Sequence, residues 1–382
     1  MKKILIVHSF YGSESPSGEN SVVEEDLIFL RELGYEVFTC FLYSDDVRNK
    51  GIIGELRASI NYLFGIRGLI TLKKACNVFK PDIIHIHNVF PMFSLWILYY
   101  ASSTATVYYT WHNYRNLCIA GFPIREGKIC RKCIDTVQNY GIKHRCYKGS
   151  LYGSFVMYLS NVIHKRLQTI NRNVDKLICF TNFQKEVLIS AGIDQKIIYV
   201  KPNFSDVSRT VVPLGQRDNY VLFAGRVSLV KGIHKLLAIW STDSDLPLLK
   251  VCGSGPLLTK LQKCYGNLRN VEFCGLLKKP VLEELMSRAM AVIVPSIAWE
   301  GYPMVIADAE KLGTPVFSSG IGPLEDMFVH KEQLINFEDA VEAKESLSLK
   351  LRDVNLLHNI SELQQIKSKE DIKHREYINL YD

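Results

Sequence analysis

The sequence has no uninterrupted apolar stretch long enough to cross a membrane. Its longest uncharged segment, residues 88–111, is broken by Pro91 and by four Ser and Thr residues between positions 102 and 106. A spanning helix needs about 20 consecutive apolar residues, so we predict a short core helix followed by a strand. The first apolar run, residues 4–7, is too short for the apolar region of a signal peptide, and we predict a buried first strand there.

Dense cysteine spacing, internal repeats and low-complexity tracts are also missing. These absences exclude fibrous proteins and small disulfide-framework proteins. The ten cysteines are scattered, which together with the lack of an export signal favours the reducing cytosol. At 382 residues with 47% hydrophobic residues, the chain can bury two sizeable cores, and we expect two domains.

Charge is distributed unevenly along the chain. Residues 1–200 hold 24 Lys and Arg against 16 Asp and Glu, a balance of +8, whereas residues 201–382 hold 22 against 23, a balance of −1. The basic half favours an anionic substrate or an anionic membrane surface; a merely soluble basic domain is the alternative. Residues 152–166 are aromatic and apolar with a basic end, and we prefer a core helix there to a membrane-contacting one.

Short apolar segments alternate with helical ones along the whole chain, which predicts parallel sheets with crossover helices. We therefore expect an α/β fold of two doubly wound, Rossmann-like domains. The predicted strands are residues 4–7, 37–41, 83–87, 105–111, 177–180, 198–201, 220–224, 248–252, 271–274, 291–294 and 316–318. Predicted helices include residues 21–33, 152–172, 232–240 and 280–289. The polar, irregular residues 201–215 are the expected linker, and the charged tail after position 331 has a helical composition.

The segment PSIAWEGYPMVIADAEKLGTPV, residues 295–316, is the most informative part of the sequence. It predicts a strand, a glycine loop that carries Glu300, and a helix whose first turn accommodates Pro303. Gly313 ends that helix. A carboxylate and free backbone amides are thus held at a strand-to-helix turn, where open α/β sheets bind ligands. A sugar nucleotide needs both: an acceptor for sugar hydroxyls and donors for a diphosphate.

A second loop, FAGRVSLVKGI at residues 223–233, also lies between a predicted strand and a predicted helix. Gly225 allows a tight turn, and Arg226 and Lys231 offer two cations to a diphosphate. An Arg and a Lys near a glycine are usually a solvated loop when they occur alone. Two further glycine turns follow, in residues 251–256 and 273–280, and the four loops in this order form a strong pattern.

The second half resembles the donor-binding domain of retaining glycosyltransferase family 4, the group 1 transferases of the GT-B fold. The matching segments are FAGRVSLVKGI, VCGSGP, VEFCGLLKKPVLEELMSRAMAVIVPS and WEGYPMVIADAEKLGTPV. The resemblance is close over residues 219–325 and looser before them. It implies a GT-B enzyme, of the polysaccharide-biosynthesis type, with two Rossmann-like domains that face a cleft. With the linker predicted above, we expect a domain at 1–205, a nucleotide-sugar domain at 206–365, and a terminal helix, 366–382, that packs back on the first domain.

The resemblance also assigns roles to individual residues. Arg226 and Lys231, with Gly225, would hold the diphosphate, and Glu300 would contact sugar hydroxyls. Backbone amides would come from the loop that runs into the helix, at Gly301, Tyr302, Pro303 and Met304. The family has a second Glu at the position of Asp308, where the ribose hydroxyls are held; the shorter Asp departs from that pattern.

In the first half, Gly18 lies in a loop that resembles the family's glycine loop facing the donor, and an ordinary loop is the alternative. His112 follows a predicted strand in the segment TWHNYR and resembles the family's histidine that faces the donor sugar. The alternative is a histidine whose hydrogen bonds are made within the wall of the cleft and which does not contact the sugar. The family's proposed front-face mechanism uses the leaving phosphate as the base, so catalysis by Glu300 and His112 would consist of orientation and charge stabilisation.

Four cysteines follow in an insert at about residues 115–148: Cys118, Cys130, Cys133 and Cys146. Four thiolates that include a C-x-x-C pair suit tetrahedral Zn²⁺, with His144 as a substitute ligand. Free thiols or disulfides are the alternative, and the role is expected to be structural. We expect no catalytic metal, since Arg226 and Lys231 can neutralise the diphosphate; the D-x-D spacing at Asp243 and Asp245 lies away from any nucleotide loop.

The sequence therefore predicts a cytoplasmic enzyme, peripheral to the inner face of the membrane, with no nucleic-acid partner. It would transfer a hexose-type sugar from a nucleoside diphosphate, UDP in preference to GDP, to a lipid-linked or growing glycan such as a capsule or O-antigen. Two alternatives stay open. A GT-B sugar-nucleotide epimerase needs carboxylates beside the sugar, for which the first half offers only Glu14 and Glu19. A non-catalytic sugar-nucleotide-binding subunit needs no acceptor groove.

Overall fold

The computed structural model describes residues 2–11, 18–45, 51–135, 139–205, 207, 209–328, 330–373 and 381. The chain divides into two compact units: residues 1–125 with 130–202, and residues 126–129 with 203–382. Glu14, the first part of the predicted glycine loop (Pro16 and Ser17) and residues 374–380 and 382 of the predicted terminal helix lie outside the described residues. The last described helix reaches Lys373.

The first unit is built on a six-stranded parallel sheet in the order β2-β1-β3-β4-β7-β8. Its strands are β1 Lys3–Phe10, β2 Glu36–Tyr43, β3 Ile83–Asn88, β4 Thr106–Thr110, β7 Lys176–Cys179 and β8 Ile198–Val200. Two short strands, β5 Ile124–Arg125 and β6 Lys128–Ile129, form a separate hairpin. β1 and β3 are buried almost throughout, which explains why both are mostly apolar, with histidines among their few polar residues. The predicted buried first strand is therefore present.

Helices of the first unit connect these strands. They are α1 Gly18–Glu32, α2 Gly51–Phe64, α3 Ile66–Phe79, α4 Ile97–Ser102, α5 Lys132–Asp135, α6 Tyr140–Lys143, α7 Leu151–Arg166, α8 Thr169–Asn173 and α9 Asn182–Ser190. The single helix predicted over 152–172 is wrong, because α7 and α8 are separated at Gln168, whose φ of 52° is left-handed. No glycine or proline announces that break, so pattern reasoning could not detect it.

The second unit has a five-stranded parallel sheet in the order β11-β10-β9-β12-β13. Its strands are β9 Asp218–Ala224, β10 Leu248–Cys252, β11 Val271–Gly275, β12 Ala289–Val294 and β13 Val316–Ser318, and its helices are α10 Ile233–Trp240, α11 Leu258–Tyr265, α12 Lys279–Arg288, α13 Met304–Lys311, α14 Pro323–Asp326, α15 Ala340–Arg352 and α16 Val354–Lys373. One core joins sheet and helices through residues such as Leu236, Val251 and Ile293. Two doubly wound α/β units confirm the predicted fold class.

No helix within the described ranges combines the length and the apolar character that crossing a membrane requires. The segment 88–111 contains the short α4 and the strand β4, as predicted.

Candidate active site

The second unit places two of its loops at the point where its strand order reverses. β9 lies between β10, which precedes β11 at one edge, and β12, which precedes β13 at the other. The loop after β9 and the loop after β12 therefore leave the sheet on neighbouring strands and diverge. Ligands of open α/β sheets bind in the crevice that forms at such a place, outside the carboxyl ends of the strands.

Lys231 and Glu300 meet at this crevice. The Lys231 Nζ donates to Glu300 Oε2 at 2.5 Å, although the two residues are 69 positions apart. The other carboxylate oxygen, Oε1, accepts a hydrogen bond from the Ser296 hydroxyl. Glu300 is 7% exposed, so its carboxylate is held on both oxygens in a largely dry position. The two loops that the sequence singled out separately are thus one site.

Gly232 explains why these loops can approach so closely. It has φ 68°, and a Cβ built on it would lie 1.7 Å from the carbonyl oxygen of Pro295. The backbone N–H of Ile297 also donates to the Val230 carbonyl at 2.9 Å. Only glycine fits where the end of the first loop presses on the start of the second, and this contact sets Lys231 beside Glu300.

The loop after β9 is fixed on its other side by the loop after β10. Gly225 N donates to the Cys252 carbonyl at 3.0 Å, and Val227 N donates to the Ser254 carbonyl at 2.9 Å. Gly253, with φ 141°, would bring a Cβ within 1.9 Å of the Gly225 carbonyl oxygen. Arg226 lies between these two anchors, is exposed, and has no ion-pair or hydrogen-bond partner among the described residues. The structure brings Lys231 and Glu300 into contact, while Arg226 stays available at the same loop.

The loop after β12 ends in an uncapped helix start. Gly301 and Tyr302 lead to Pro303, the residue before α13, and no side chain there bonds to the first N–H groups from Met304 onward. Such groups, together with the helix dipole, favour an anion. Trp299 anchors this loop in the unit, because its side chain is 4% exposed and lies against Gly322.

The two acidic residues on α13 have different surroundings. The Asp308 carboxylate accepts a hydrogen bond from the Ser205 hydroxyl at 2.7 Å. Glu310 is 3% exposed and accepts from Lys367 Nζ at 2.8 Å, which ties α13 to α16. Glu310 therefore stabilises the unit, and Asp308 is the acidic residue of this helix that is only partly buried.

In the first unit, His112 follows β4 and belongs to a buried row of histidines. Its Nε2 lies 3.1 Å from Nδ1 of His87, on β3, and the rings stack with centroids 5.3 Å apart. Nε2 of His87 lies 3.7 Å from Oδ2 of Asp26, whose Oδ1 accepts from Lys201 Nζ at 3.0 Å. Burial and the neighbouring charges hold the pKa of His87 and of His112 well below the usual value, so both rings are neutral at pH 7.

Asp26, His85 and His87 are the only described residues of His, Cys, Asp or Glu type that offer three potential metal-ligand atoms all within 4.8 Å. Lys201 already supplies a positive charge to the carboxylate of Asp26. A second cation would be repelled there, so we interpret the cluster as a neutralised polar network beneath His112.

Gly18 begins α1 and is exposed. Next to it, Glu19 accepts a hydrogen bond from the Asn113 amide at 2.7 Å, which connects the start of α1 with the residue after His112. Burial raises the pKa of Glu19, while Asn113 and Arg115 oppose that rise. The sequence pointed to the stretch around Gly18, whereas the contact of Glu19 with Asn113 is a tertiary feature.

The four cysteines of the insert are gathered but not closed around an ion. Cys118 and Cys133 are buried, and none of the four forms a disulfide. Burial raises the pKa of Cys118 to about 12 and that of Cys133 to about 11, and the nearby thiols of Cys130 and Cys146 add to both shifts. Tetrahedral Zn–S bonds of about 2.3 Å need sulfurs about 3.8 Å apart. No three of these sulfurs lie within 4.8 Å of one another. The residue types therefore fit zinc, but the sulfurs would have to move closer together to bind it.

Sequence reasoning missed several residues that shape the site. Ser296 holds Glu300, Ser205 holds Asp308, and Asp26 with Lys201 neutralises the network under His112. One signal was available: the strand IIHIHN carries two histidines in a fully buried segment. Buried polar side chains need partners, so those histidines marked a polar network in advance.

Comparison with known proteins identifies the family of the chain. The "Glycosyltransferase Family 4" model matches residues 18–209, and the "Glycosyl transferases group 1" model matches residues 205–365. An uncharacterized glycosyltransferase of Methanocaldococcus jannaschii is 26% identical over 184 residues, which is 46% of this chain and 47% of that protein. The match thus spans about half the length of this curated relative.

Among solved structures, Anabaena HepE in complex with UDP and glucose aligns with 15% identity and a TM-score of 0.65, covering 100% of this chain and 99% of the other. The sucrose-phosphate synthase of Thermosynechococcus elongatus aligns with 15% identity and a TM-score of 0.70, with 100% and 99% coverage. At this identity the likeness shows the fold. The chain belongs to Glycosyltransferase Family 4, its second unit matches the group 1 glycosyltransferase model, and it has the GT-B fold.

Proposed function

We propose that this glycosyltransferase moves a sugar from a nucleoside diphosphate donor to a lipid-linked or growing surface-polysaccharide acceptor, with retention of anomeric configuration. The observation that carries the proposal is the Lys231–Glu300 contact at the strand-order reversal of the second unit. It puts a cation for a phosphate and an acceptor for sugar hydroxyls within one hydrogen bond of each other.

The donor would be held by groups of the second unit. Arg226 and Lys231 would contact the diphosphate oxygens, and the N–H groups that open α13 would add to them. Glu300 would accept from sugar hydroxyls and Asp308 from the ribose. Because HepE was crystallised with UDP and with UDP-glucose, a UDP sugar is preferred to a GDP sugar.

The transfer itself needs no protein nucleophile in this proposal. The leaving phosphate would take the proton of the attacking acceptor hydroxyl as the new glycosidic bond forms on the same face. Arg226 and Lys231 would stabilise the negative charge that develops on the diphosphate, and His112, neutral and oriented by His87, would contact the sugar. Two cations on the diphosphate make a catalytic metal unnecessary in this scheme.

The first unit, which would bind the acceptor, would contact the inner face of the cytoplasmic membrane. Apolar side chains of the first unit are exposed on α2, α3 and α7: Leu56, Ile60, Phe64, Ile66, Ile70, Leu151, Tyr152 and Phe155. Arg57, Arg67, Lys73 and Lys74 are exposed on α2 and α3 as well. Apolar side chains bordered by cations suit an anionic lipid surface. Residues of the other face of α7, such as Val156 and Met157, are buried as the core-helix interpretation requires.

Incubation with UDP and GDP sugars and a lipid-linked glycan tests the proposal. We expect a glycosylated product whose anomeric proton, observed by NMR, has the configuration of the donor. Isomerised donor without transfer would identify the epimerase, binding without turnover would identify a non-catalytic subunit, and an inverted product would refute retention. Co-sedimentation with anionic vesicles tests the membrane contact: it should be weakened in Phe64→Ser but not in Leu349→Ser, which changes an exposed apolar side chain on α15 of the second unit.

A further inference from the structure

The two members of the Lys231–Glu300 ion pair differ in how far a ligand can reach them. The Lys231 Nζ donates to Glu300 Oε2 at 2.5 Å. The side chain of Lys231 is 26% exposed, whereas that of Glu300 is 9% exposed. A phosphate that approaches this site therefore reaches the ammonium group first. It meets there a positive charge that the neighbouring carboxylate already neutralises in part.

Glu300 is held in its position beside Lys231. Its other oxygen, Oε1, accepts a hydrogen bond from the hydroxyl of Ser296, which is fully buried. The Ser296 carbonyl in turn accepts from the Ser319 hydroxyl at 2.6 Å, which joins the loop after β12 to the residue that follows β13. Ser296 is therefore a positioning residue, because its hydrogen bond keeps Oε2 directed at Lys231.

Cations alone do not distinguish a nucleotide sugar from the nucleoside diphosphate that remains after transfer. Arg226 and Lys231 would meet phosphate oxygens in both ligands. The ligands differ in the sugar, whose hydroxyls can donate to a carboxylate. A site can separate two such ligands by including a group that disfavours one of them. Glu300 is placed to be that group, because it lies beside one of the two cations.

A nucleoside diphosphate without a sugar would compete with Glu300 for Lys231. An ammonium group has three donors and can bridge both partners, but its single positive charge is then shared between carboxylate and phosphate. When Lys231 moves to the phosphate entirely, Glu300 Oε2 loses its partner in a largely buried position, which is costly. The hydroxyls of a bound sugar would replace that partner. The cost therefore falls on the diphosphate product and not on the intact donor.

We propose that Glu300 is a specificity-determining residue that discriminates the intact donor from the diphosphate product by competing for Lys231. Once the sugar has been transferred, Lys231 returns to Glu300 and its contact with the product weakens, which promotes product release. The inference rests on the proposed function, because it takes the Lys231–Glu300 pair as part of the donor site. It adds to that function a role for Glu300 against a ligand, beside its contact with the sugar.

The test is calorimetric titration of the full-length protein with UDP and with GDP, the two candidate products. We expect Glu300→Gln to bind the diphosphate about tenfold more tightly than the wild type, because the neutral amide leaves the charge of Lys231 to the phosphate. Most of this gain should disappear when Glu300→Gln is made in the Lys231→Met background, since the double-mutant cycle isolates the contribution of the pair. Glu300→Ala, which also removes the charge, should reproduce the gain if Glu300→Gln fails to fold.

Asp218→Asn is the matched control, because it also removes one negative charge from the second unit. Asp218 pairs with Arg288 at 2.9 Å and lies at the amino end of β9. Seven strand residues place it roughly 20 Å from the loop after β9. That separation is about twice the Debye length at 0.1 M salt, so this variant should bind both diphosphates as the wild type does.

Unchanged or weaker diphosphate binding by Glu300→Gln would overturn the inference and leave the proposed donor site intact. An equal gain in the Lys231→Met background would also overturn it, because the gain would then come from direct repulsion of the phosphate and not from competition for Lys231. If neither diphosphate binds the wild type or any variant, the proposed donor site fails and the inference fails with it.

Discussion

At the scale of single residues, the proposed donor site centres on one carboxylate, Glu300, whose two oxygens both accept hydrogen bonds. Glu300 is fixed by Lys231 and Ser296, so its orientation is set before any donor arrives. A preorganised acceptor costs little reorganisation at the moment of reaction, which is how fixed polar groups accelerate transfer. Glu310, ten positions on, lies inside the unit and accepts a hydrogen bond from Lys367.

Glu300→Gln should lower kcat by about 100-fold or more. The amide keeps the shape of the side chain but loses the negative charge, whose interaction with the sugar becomes stronger in the transition state. Thermal unfolding should change little. Glu310→Gln is the matched control: it should cost about 2 kcal/mol of folding free energy, because Lys367 loses its buried partner, and leave kcat unchanged. Turnover by Glu300→Gln at the normal rate would remove this residue from catalysis.

Arg226→Ala should weaken donor binding by about tenfold or more, since a charge-assisted contact to phosphate is lost. The folding free energy should change by no more than about 0.5 kcal/mol, because the side chain is exposed. Arg217→Ala is the contrasting control.

The Arg217 guanidinium donates to the Val212, Ala289, Leu312 and Gly313 carbonyls and to Thr314. Its loss should cost about 3 kcal/mol in urea unfolding. A melting-temperature loss in Arg226→Ala as large as that of Arg217→Ala would contradict the phosphate role.

At the scale of elements, three loops of the second unit brace one another. The loops after β9, β10 and β12 are joined by backbone hydrogen bonds and by glycines that let the chains touch. The strands and their glycine turns were predictable, because apolar runs and Gly residues are local signals. Which glycine faces which carbonyl was not, since it depends on strand order.

Gly232→Ala should cost about 2 kcal/mol or more of stability, because its left-handed backbone and the Pro295 carbonyl leave no room for a Cβ. Donor affinity should fall as well, since the same contact sets Lys231 beside Glu300. Gly215→Ala, where a Cβ meets nothing within 4 Å, is the control and should be neutral in both chemical denaturation and calorimetry. Equal behaviour of the two variants would show that the loop contact is dispensable.

Metal analysis of the reduced, freshly purified protein should find about one zinc per chain, because four thiolates of one compact insert suit tetrahedral Zn²⁺. Cys130→Ser, in the insert, should abolish the zinc. Cys264→Ser, exposed elsewhere in the chain, should retain it. Metal-free protein with unchanged insert structure would exclude the zinc interpretation and leave free thiols.

At the scale of the whole molecule, stability should depend on pH through the buried histidines of the first unit. Burial lowers the pKa of His8 to about 4, of His85 to about 3 and of His164 to about 4, and those of His87 and His112 lie well below the usual value. Below pH 6.5 the unfolded chain binds protons that the folded chain does not. The free energy of unfolding, and with it the stability, should therefore fall as pH drops from about 6.5 toward 4.

Each such histidine contributes up to about 1.4 kcal/mol per pH unit in this window. Urea unfolding at pH 7, 6 and 5 should show a progressive loss, and His8→Gln should reduce the slope by about one proton. A free energy of unfolding that stays constant or increases as the pH is lowered from 7 to 5 would mean that these rings are protonated in the folded state.

The sequence alone determined the class of fold and the identity of the charged loops. Alternating apolar and helical segments, glycines after strands, and the pairing of Arg226 with Lys231 in one loop are all local, and local patterns can be read from order along the chain. The break at Gln168 shows the limit of such reading, because no residue type there announces it.

Only the tertiary structure decided that Lys231 meets Glu300 across 69 residues and that Asp26 and Lys201 neutralise a network under His112. These contacts depend on which strands are neighbours and on what each helix face buries. Both follow from the packing of the whole sheet, so residues distant in sequence become partners only once that packing exists.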